Sequence, residues 1–152
     1  KQPNSRMCFI CGLQNPVGLK LAFFEDPAEG QVRVDLTVPD RFQGYPGVVH
    51  GGIVTAVLDE VAVRAAMIET GHEQMMATAK MEIRFRQPTP TEEPLVAVGW
   101  VTRTSRVGTV ARGEIRLADG TVTAECEALH MAVPAGMGAR WEAEKEYWRV
   151  YE

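Results

Sequence analysis

One run constrains this chain more than any other. From residue 53 to residue 66 it reads Ile-Val-Thr-Ala-Val-Leu-Asp-Glu-Val-Ala-Val-Arg-Ala-Ala, apolar or small apart from Asp59, Glu60 and Arg64. Such a run is expected of a helix buried all round rather than of a surface helix. Gly51 and Gly52 open it and Gly71 closes it, which fits about five turns. A buried helix should not carry charges unless they are paired or used. Glu60 can pair with Arg64 at i+4. Asp59 has no basic residue three or four positions away, and its face holds mostly small residues (Gly52, Thr55, Ala56, Ala62, Val63, Ala66). That carboxylate is the strongest functional clue in the chain.

The start of the helix supplies a second clue. The first backbone N–H groups of a helix lack intrahelical acceptors and carry the positive end of its dipole. Gly51 and Gly52 leave those donors unshielded, so an oxygen with partial negative charge could rest against them. Donors for an oxyanion together with a free carboxylate are the minimum equipment for hydrolysing an activated acyl group. The competing reading is a tight turn followed by an aspartate with a partner elsewhere in the fold.

His50-Gly51-Gly52 with Asp59 nine positions after the histidine resembles the hotdog-fold acyl-CoA thioesterases of the phenylacetic-acid-degradation (PaaI-like) branch. The resemblance continues through residues 78–88, Thr-Ala-Lys-Met-Glu-Ile-Arg-Phe-Arg-Gln-Pro. It includes the opening Cys-Phe-Ile-Cys-Gly-Leu-Gln-Asn-Pro-Val-Gly-Leu of residues 8–19 and spans roughly residues 8–133. It implies an antiparallel sheet wrapped around a long central helix, and acyl-CoA as substrate, with no cofactor. It also implies roles for individual residues. The Gly51 N–H would polarise the thioester carbonyl, with Gly52 beside it. Asp59 would act as general base or nucleophile. Thr78 would hold the water or the carboxylate, and His50 would shape the turn near the thioester. Some relatives place an amide side chain just ahead of the motif, and Gln43, beside Gly44, lies nearest that offset.

Composition agrees with a protein of this kind. At 152 residues, 45% hydrophobic and 24% charged, the chain reads as one domain with a real core. A net charge of -4 gives no reason to expect nucleic acid. No apolar run reaches the ~18 residues of a membrane span, and no charged-then-apolar leader opens the chain. Three cysteines, an odd number, favour a reducing compartment, and the chain reads as cytoplasmic.

In chain order, residues 1–6 are polar and expected to form a loose arm. Cys8-x-x-Cys11 lacks a second ligand pair in sequence, so structural thiols and no metal are expected. Residues 17–25 read as a strand, and residues 31–38 alternate strictly, Val32, Val34, Leu36 and Val38 on one face. Residues 39–49 read as a loop. There Phe42 and Tyr45 are acyl-pocket candidates, although packing under the loop is the plainer use. Residues 80–86 place Met81, Ile83 and Phe85 inward. Strands are expected over 95–103, 107–117 and 121–133, with Asp119-Gly120 as a hairpin turn. His130 reads as a packed histidine. Residues 136–152 read as a tail helix docked through Trp141 and Trp148.

One long helix and several antiparallel strands make an α+β fold. An open edge strand favours edge-to-edge pairing into a homodimer, with a dimer of dimers as the larger assembly. Arg84, Arg86, Arg103 and Arg106 are the cations available for CoA phosphates. Met67, Met75, Met76 and Met81 could form an adaptable acyl pocket. Two rival classes stand beside hydrolysis: a non-catalytic module that binds acyl-CoA or another apolar ligand, and a dehydratase or hydratase. The latter would use a histidine with an acidic partner ahead of the helix, and no such pair precedes His50.

Overall fold

The computed structural model describes residues 1–72 and 74–152. Helix α1 spans Gly51–Ile68, 18 residues or five turns, as its sequence demands. Gly71, in the left-handed region at φ 59°, follows its end. An antiparallel sheet curves over the helix. Its strands are β1 (Phe24–Asp26), β2 (Gln31–Thr37), β5 (Met76–Phe85), β6 (Pro94–Thr104), β7 (Thr109–Leu117) and β8 (Val122–Ala132), in the order β1-β2-β6-β7-β8-β5. Strands β3 (Gln43–Tyr45) and β4 (Val48–Val49) form a separate hairpin ahead of α1. The expected loop at residues 39–49 is therefore a built entry, a 3-10 turn at Asp40–Phe42 followed by this hairpin.

The period-two strands place their apolar side chains against α1. Val32, Val34 and Leu36 of β2 are buried, as are Val57, Leu58, Val61, Ala62 and Ala65 of the helix. Burying a valine or leucine fully is worth about 1.5–3 kcal/mol. The helix lies so close to the sheet that a Cβ on Gly99 of β6 would stand 2.3 Å from the Val61 carbonyl oxygen. Only glycine fits there.

Four expectations need correction. The strand foreseen at 17–25 shrinks to its last residues, because the preceding segment pairs with the N-terminal arm instead. Leu19 and Leu21 N–H donate to Phe9 O and Ile10 O, and Gln2 N–H donates to Phe23 O. That arm is not loose: Gln2 and Asn4 are each 1% exposed, and the Asn4 amide donates to Cys11 O and Leu21 O. Phe85 is 54% exposed at the end of edge strand β5, although Met81 and Ile83 pack against the core as expected. The tail carries only a short helix, α2 (Gly138–Glu142), with turns after it. Trp141 and Trp148 meet each other edge to face at 5.6 Å. Among the described residues no helix is long and apolar enough to cross a membrane.

Candidate active site

The entry to α1 makes one donor available, not two. His50 is the N-cap, and its Nδ1 accepts the Gly52 N–H at 2.9 Å. Its carbonyl accepts the N–H groups of Ile53 and Val54. Gly52's donor is thus consumed in the cap, whereas Gly51 N–H has no acceptor among the described residues. That leaves the Gly51 N–H as the open donor at the positive end of the helix. It faces a cleft of about 660 Å³ whose lining includes Tyr45, His50, Gly51, Val54, Phe85 and Arg86. Tyr45 therefore does line a pocket, while Phe42 packs edge-on against Phe9.

Asp59 lies two turns further along the helix and does not line that cleft. Thr78 Oγ1 donates to Asp59 Oδ1 at 2.5 Å. Thr78 reaches it because β5 carries a bulge: Thr78 and Lys80 pair with the consecutive residues His130 and Leu129. Strict alternation back from Met81 would turn Ala79 toward the helix. The extra residue shifts the phase and turns Thr78 inward, leaving Ala79 exposed. His130, fully buried on β8, places Nδ1 3.2 Å from the same hydroxyl. Since the hydroxyl's one proton goes to the carboxylate, His130 donates from Nδ1–H. Its Nε2 is left a lone-pair acceptor with no partner among the described residues. Burial holds the imidazole pKa below its ordinary value, and the nearby Asp59 opposes this only partly. A hydrogen-bonded chain runs from His130 through Thr78 to Asp59. His130 is packed, as its lone place on a strand suggests, and its contact with Thr78 follows only from the strand register.

The remaining predicted residues scatter. Gln43 sits on the entry hairpin opposite Val49. Arg86, at the wall of the Gly51 cleft, donates to Glu125 at 2.6 Å, whereas Arg84 lies on the outward face of β5, away from α1. Arg106 and Arg103 are exposed at the far end of the sheet, near the β6–β7 turn. Met67 is buried in α1, and Met81 packs against the core.

Glu60, next to Asp59, points to the other side. Arg64 donates from Nε to Glu60 Oε1 at 2.7 Å, as the i+4 spacing predicts. Arg64 is 1% exposed, donates from Nη1 to Pro3 O at 2.7 Å, and lies over the rings of Phe23 and Trp148. Burial pushes the Glu60 carboxyl up to about 7 despite this arginine. Cys8 and Cys11 lie beside it, both free. The hydrogen bond between the two cysteines holds the Cys11 thiol below its ordinary value and pushes the Cys8 thiol above it.

A long helix wrapped by an antiparallel sheet is the hotdog fold. The thioesterase superfamily model matches residues 46–124, just over half of the chain, and the chain belongs to that family. Acyl-coenzyme A thioesterase THEM4 of Rattus norvegicus is 28% identical over 90 residues, 59% of this chain and 37% of that protein. The chain thus spans little more than a third of this curated relative. A thioesterase superfamily protein of known crystal structure is 32% identical, with TM-score 0.73, covering 83% of this chain and 60% of the other. A phenylacetic acid degradation-related protein from Ralstonia eutropha JMP134 superposes with TM-score 0.66 at 24% identity, covering 74% and 85%.

Proposed function

We propose that this chain hydrolyses an acyl-CoA thioester to the free acid and CoA, at sites shared between two subunits. The observation that carries this reading is the Asp59 carboxylate. It is held on one oxygen by a neutral hydroxyl and paired with no cation among the described residues. A carboxylate so placed has an oxygen free to accept a proton from water. In the proposed reaction Gly51 N–H donates to the thioester carbonyl oxygen, and Asp59 removes a proton from the attacking water. Collapse of the tetrahedral intermediate breaks the C–S bond, and the proton passes from Asp59 to the leaving thiolate. The competing route has Asp59 attack the carbonyl directly, giving an anhydride that water then opens. Single turnover in heavy-oxygen water separates the two, since only direct attack leaves the label in Asp59.

Two subunits are needed because one helix holds its parts too far apart. Gly51 and Asp59 are about 12 Å apart along the axis at 1.5 Å per residue. The reacting groups must stand within about 3 Å of one carbonyl and its water. Antiparallel helices across a twofold would bring each N-terminus to the other's aspartate. Strand β5 is the open edge through which this pairing would run, long and unpaired on one side, with Phe85 exposed at its end. His50 and the cleft beside Gly51 would receive the thioester end of the substrate, with Arg86 at the cleft wall. Three free thiols fit a reducing, cytoplasmic setting.

The test mixes two inactive chains. Asp59→Asn removes the base. Gly51→Pro removes the N–H at a position where proline suits a helix, and His50 already has the extended backbone that precedes a proline. After subunit exchange about half of the dimers are mixed, each with one intact site, so about a quarter of wild-type turnover returns. Verified exchange without recovery sinks the shared site. A wild type inert toward short, medium, long and aryl acyl-CoAs makes the chain a binding module.

A further inference from the structure

We propose that Cys8, Cys11 and Glu60 form a three-ligand site for a zinc-type divalent cation that fastens the N-terminal arm to α1. The sequence presents two thiols and no nearby third ligand. The fold supplies the third from the helix, and one ligand atom of each residue lies within 4.8 Å of the others. Cys8 Sγ is 3.9 Å from Glu60 Oε2. Zinc bonds of about 2.3 Å to sulfur and 2.0–2.2 Å to oxygen put tetrahedral ligands roughly 3.5–3.8 Å apart. The cluster needs to contract by no more than about 1 Å.

The backbone around Cys8 is arranged about its sulfur. Backbone N–H groups of Ile10 and Cys11 both donate to Cys8 Sγ, each at 3.3 Å, so the chain turns around that sulfur. Donors aimed at a sulfur favour its anionic form. The turn closes through Gly12, whose N–H donates to Cys8 O at 2.8 Å. A Cβ on Gly12 would stand 2.4 Å from Cys8 O and 2.5 Å from Cys8 N, so no side chain fits. Ser5 Oγ accepts the Cys8 N–H and touches Cys11 Sγ at 3.5 Å. Arg64 occupies Glu60 Oε1 and orients Oε2 toward the sulfurs, the outer-shell support that metal carboxylates ordinarily have.

Charge completes the argument. Once both thiols are deprotonated, the two thiolates and the carboxylate would be balanced by a divalent cation together with Arg64. On binding, the thiol protons leave to solvent and two Sγ–metal bonds and one Oε2–metal bond form, with no change of oxidation state. Two sulfurs with one carboxylate suit zinc better than magnesium or calcium. Three protein ligands leave a fourth position on the side where Cys8 is only half buried.

The test titrates Co²⁺, then Zn²⁺, into the full chain kept reduced and stripped of metal. The expected result is a thiolate-to-cobalt charge-transfer band saturating at one ion per chain, bleached by zinc, with a higher thermal midpoint for the zinc form. Cys8→Ser and Cys11→Ser should each lose the band, and Glu60→Gln should weaken binding at least tenfold. Absence of both band and thermal shift in the wild type overturns the site. Wild-type affinity in Glu60→Gln overturns the carboxylate as third ligand. Because the readouts are spectroscopic and thermal, they stand whether or not the chain hydrolyses thioesters.

Discussion

Asp59 and Glu60 are adjacent, carry the same functional group, and meet opposite surroundings. Successive residues on a helix point about 100° apart. That rotation sends Asp59 toward β5 and β8 and Glu60 toward the N-terminal arm. Asp59 receives a hydroxyl and keeps an oxygen free; Glu60 receives a guanidinium that cannot lose its proton. On the proposed reading, a carboxylate on a buried helix is made reactive by what is withheld from it. A cation beside Asp59 would stabilise it and cost it basicity.

The largest expected effect breaks the reactive side. Asp59→Asn keeps the shape, since the amide is nearly isosteric, and should lower turnover by about 10²–10⁴-fold, the usual worth of a general base. Its urea midpoint should stay within error of wild type. Near-normal turnover would remove Asp59 from the chemistry.

Glu60→Ala breaks the structural side and should give the mirror image. It strands a buried Arg64, and removing one partner of a buried pair costs about 3–5 kcal/mol. Equilibrium urea denaturation reads this directly, while per-site turnover of the folded fraction should fall far less than in Asp59→Asn. If the two variants have the same stability, the division of labour between these carboxylates is wrong.

Thr78→Val sharpens the comparison by leaving Asp59 in place without its hydroxyl. A hydrogen bond to a charged group is worth about 1.5–3 kcal/mol, so kcat should drop about 10–100-fold. Thr78→Ser should recover most of it. Equal losses in both variants would mean that the bulge geometry, not the hydroxyl, matters.

The smallest effect belongs to His130. Its folded pKa lies below its ordinary value of 6.5, so between the two the unfolded chain binds more protons than the folded one. Stability from this group is full above about pH 6.5 and is lost as pH falls through the folded pKa. Thermal midpoints of wild type and His130→Gln should therefore diverge less at acid pH than at pH 7.5. A constant gap across that range would mean that His130 does not titrate with folding.

Much of this was legible from residue order. Helix α1 shows in its apolar run, its glycines and the Glu60–Arg64 spacing, and β2 in its alternation, because each pattern is local and repeats with the backbone period. The arm was not legible, since the polar Gln2 and Asn4 look solvated until the carbonyls they satisfy are brought beside them. The inward turn of Thr78 runs against its strand's own alternation, and the bulge responsible is a relation between two strands. His130 enters the site through the same register. Phe85 has the right parity for burial but stands at the end of the edge strand, past the cover of the sheet. In each case the missing information was a long-range pairing.

The junction around Arg64 also has a consequence in time. It joins segments far apart in sequence: Asn4 bridges Arg149, Lys1 reaches the Tyr151 carbonyl 150 residues away, and Trp148 lies over the guanidinium. Contacts so distant in sequence close late, because the loop-closure entropy comes before any contact repays it. During synthesis, Trp148 is therefore expected to close over Arg64 only after the sheet has formed. The interval exposes the helix face that carries Glu60, and a chain truncated before the tail would be held there indefinitely. Hydrogen exchange on nascent or truncated chains should find residues 1–23 open long after β6, β7 and β8 are protected.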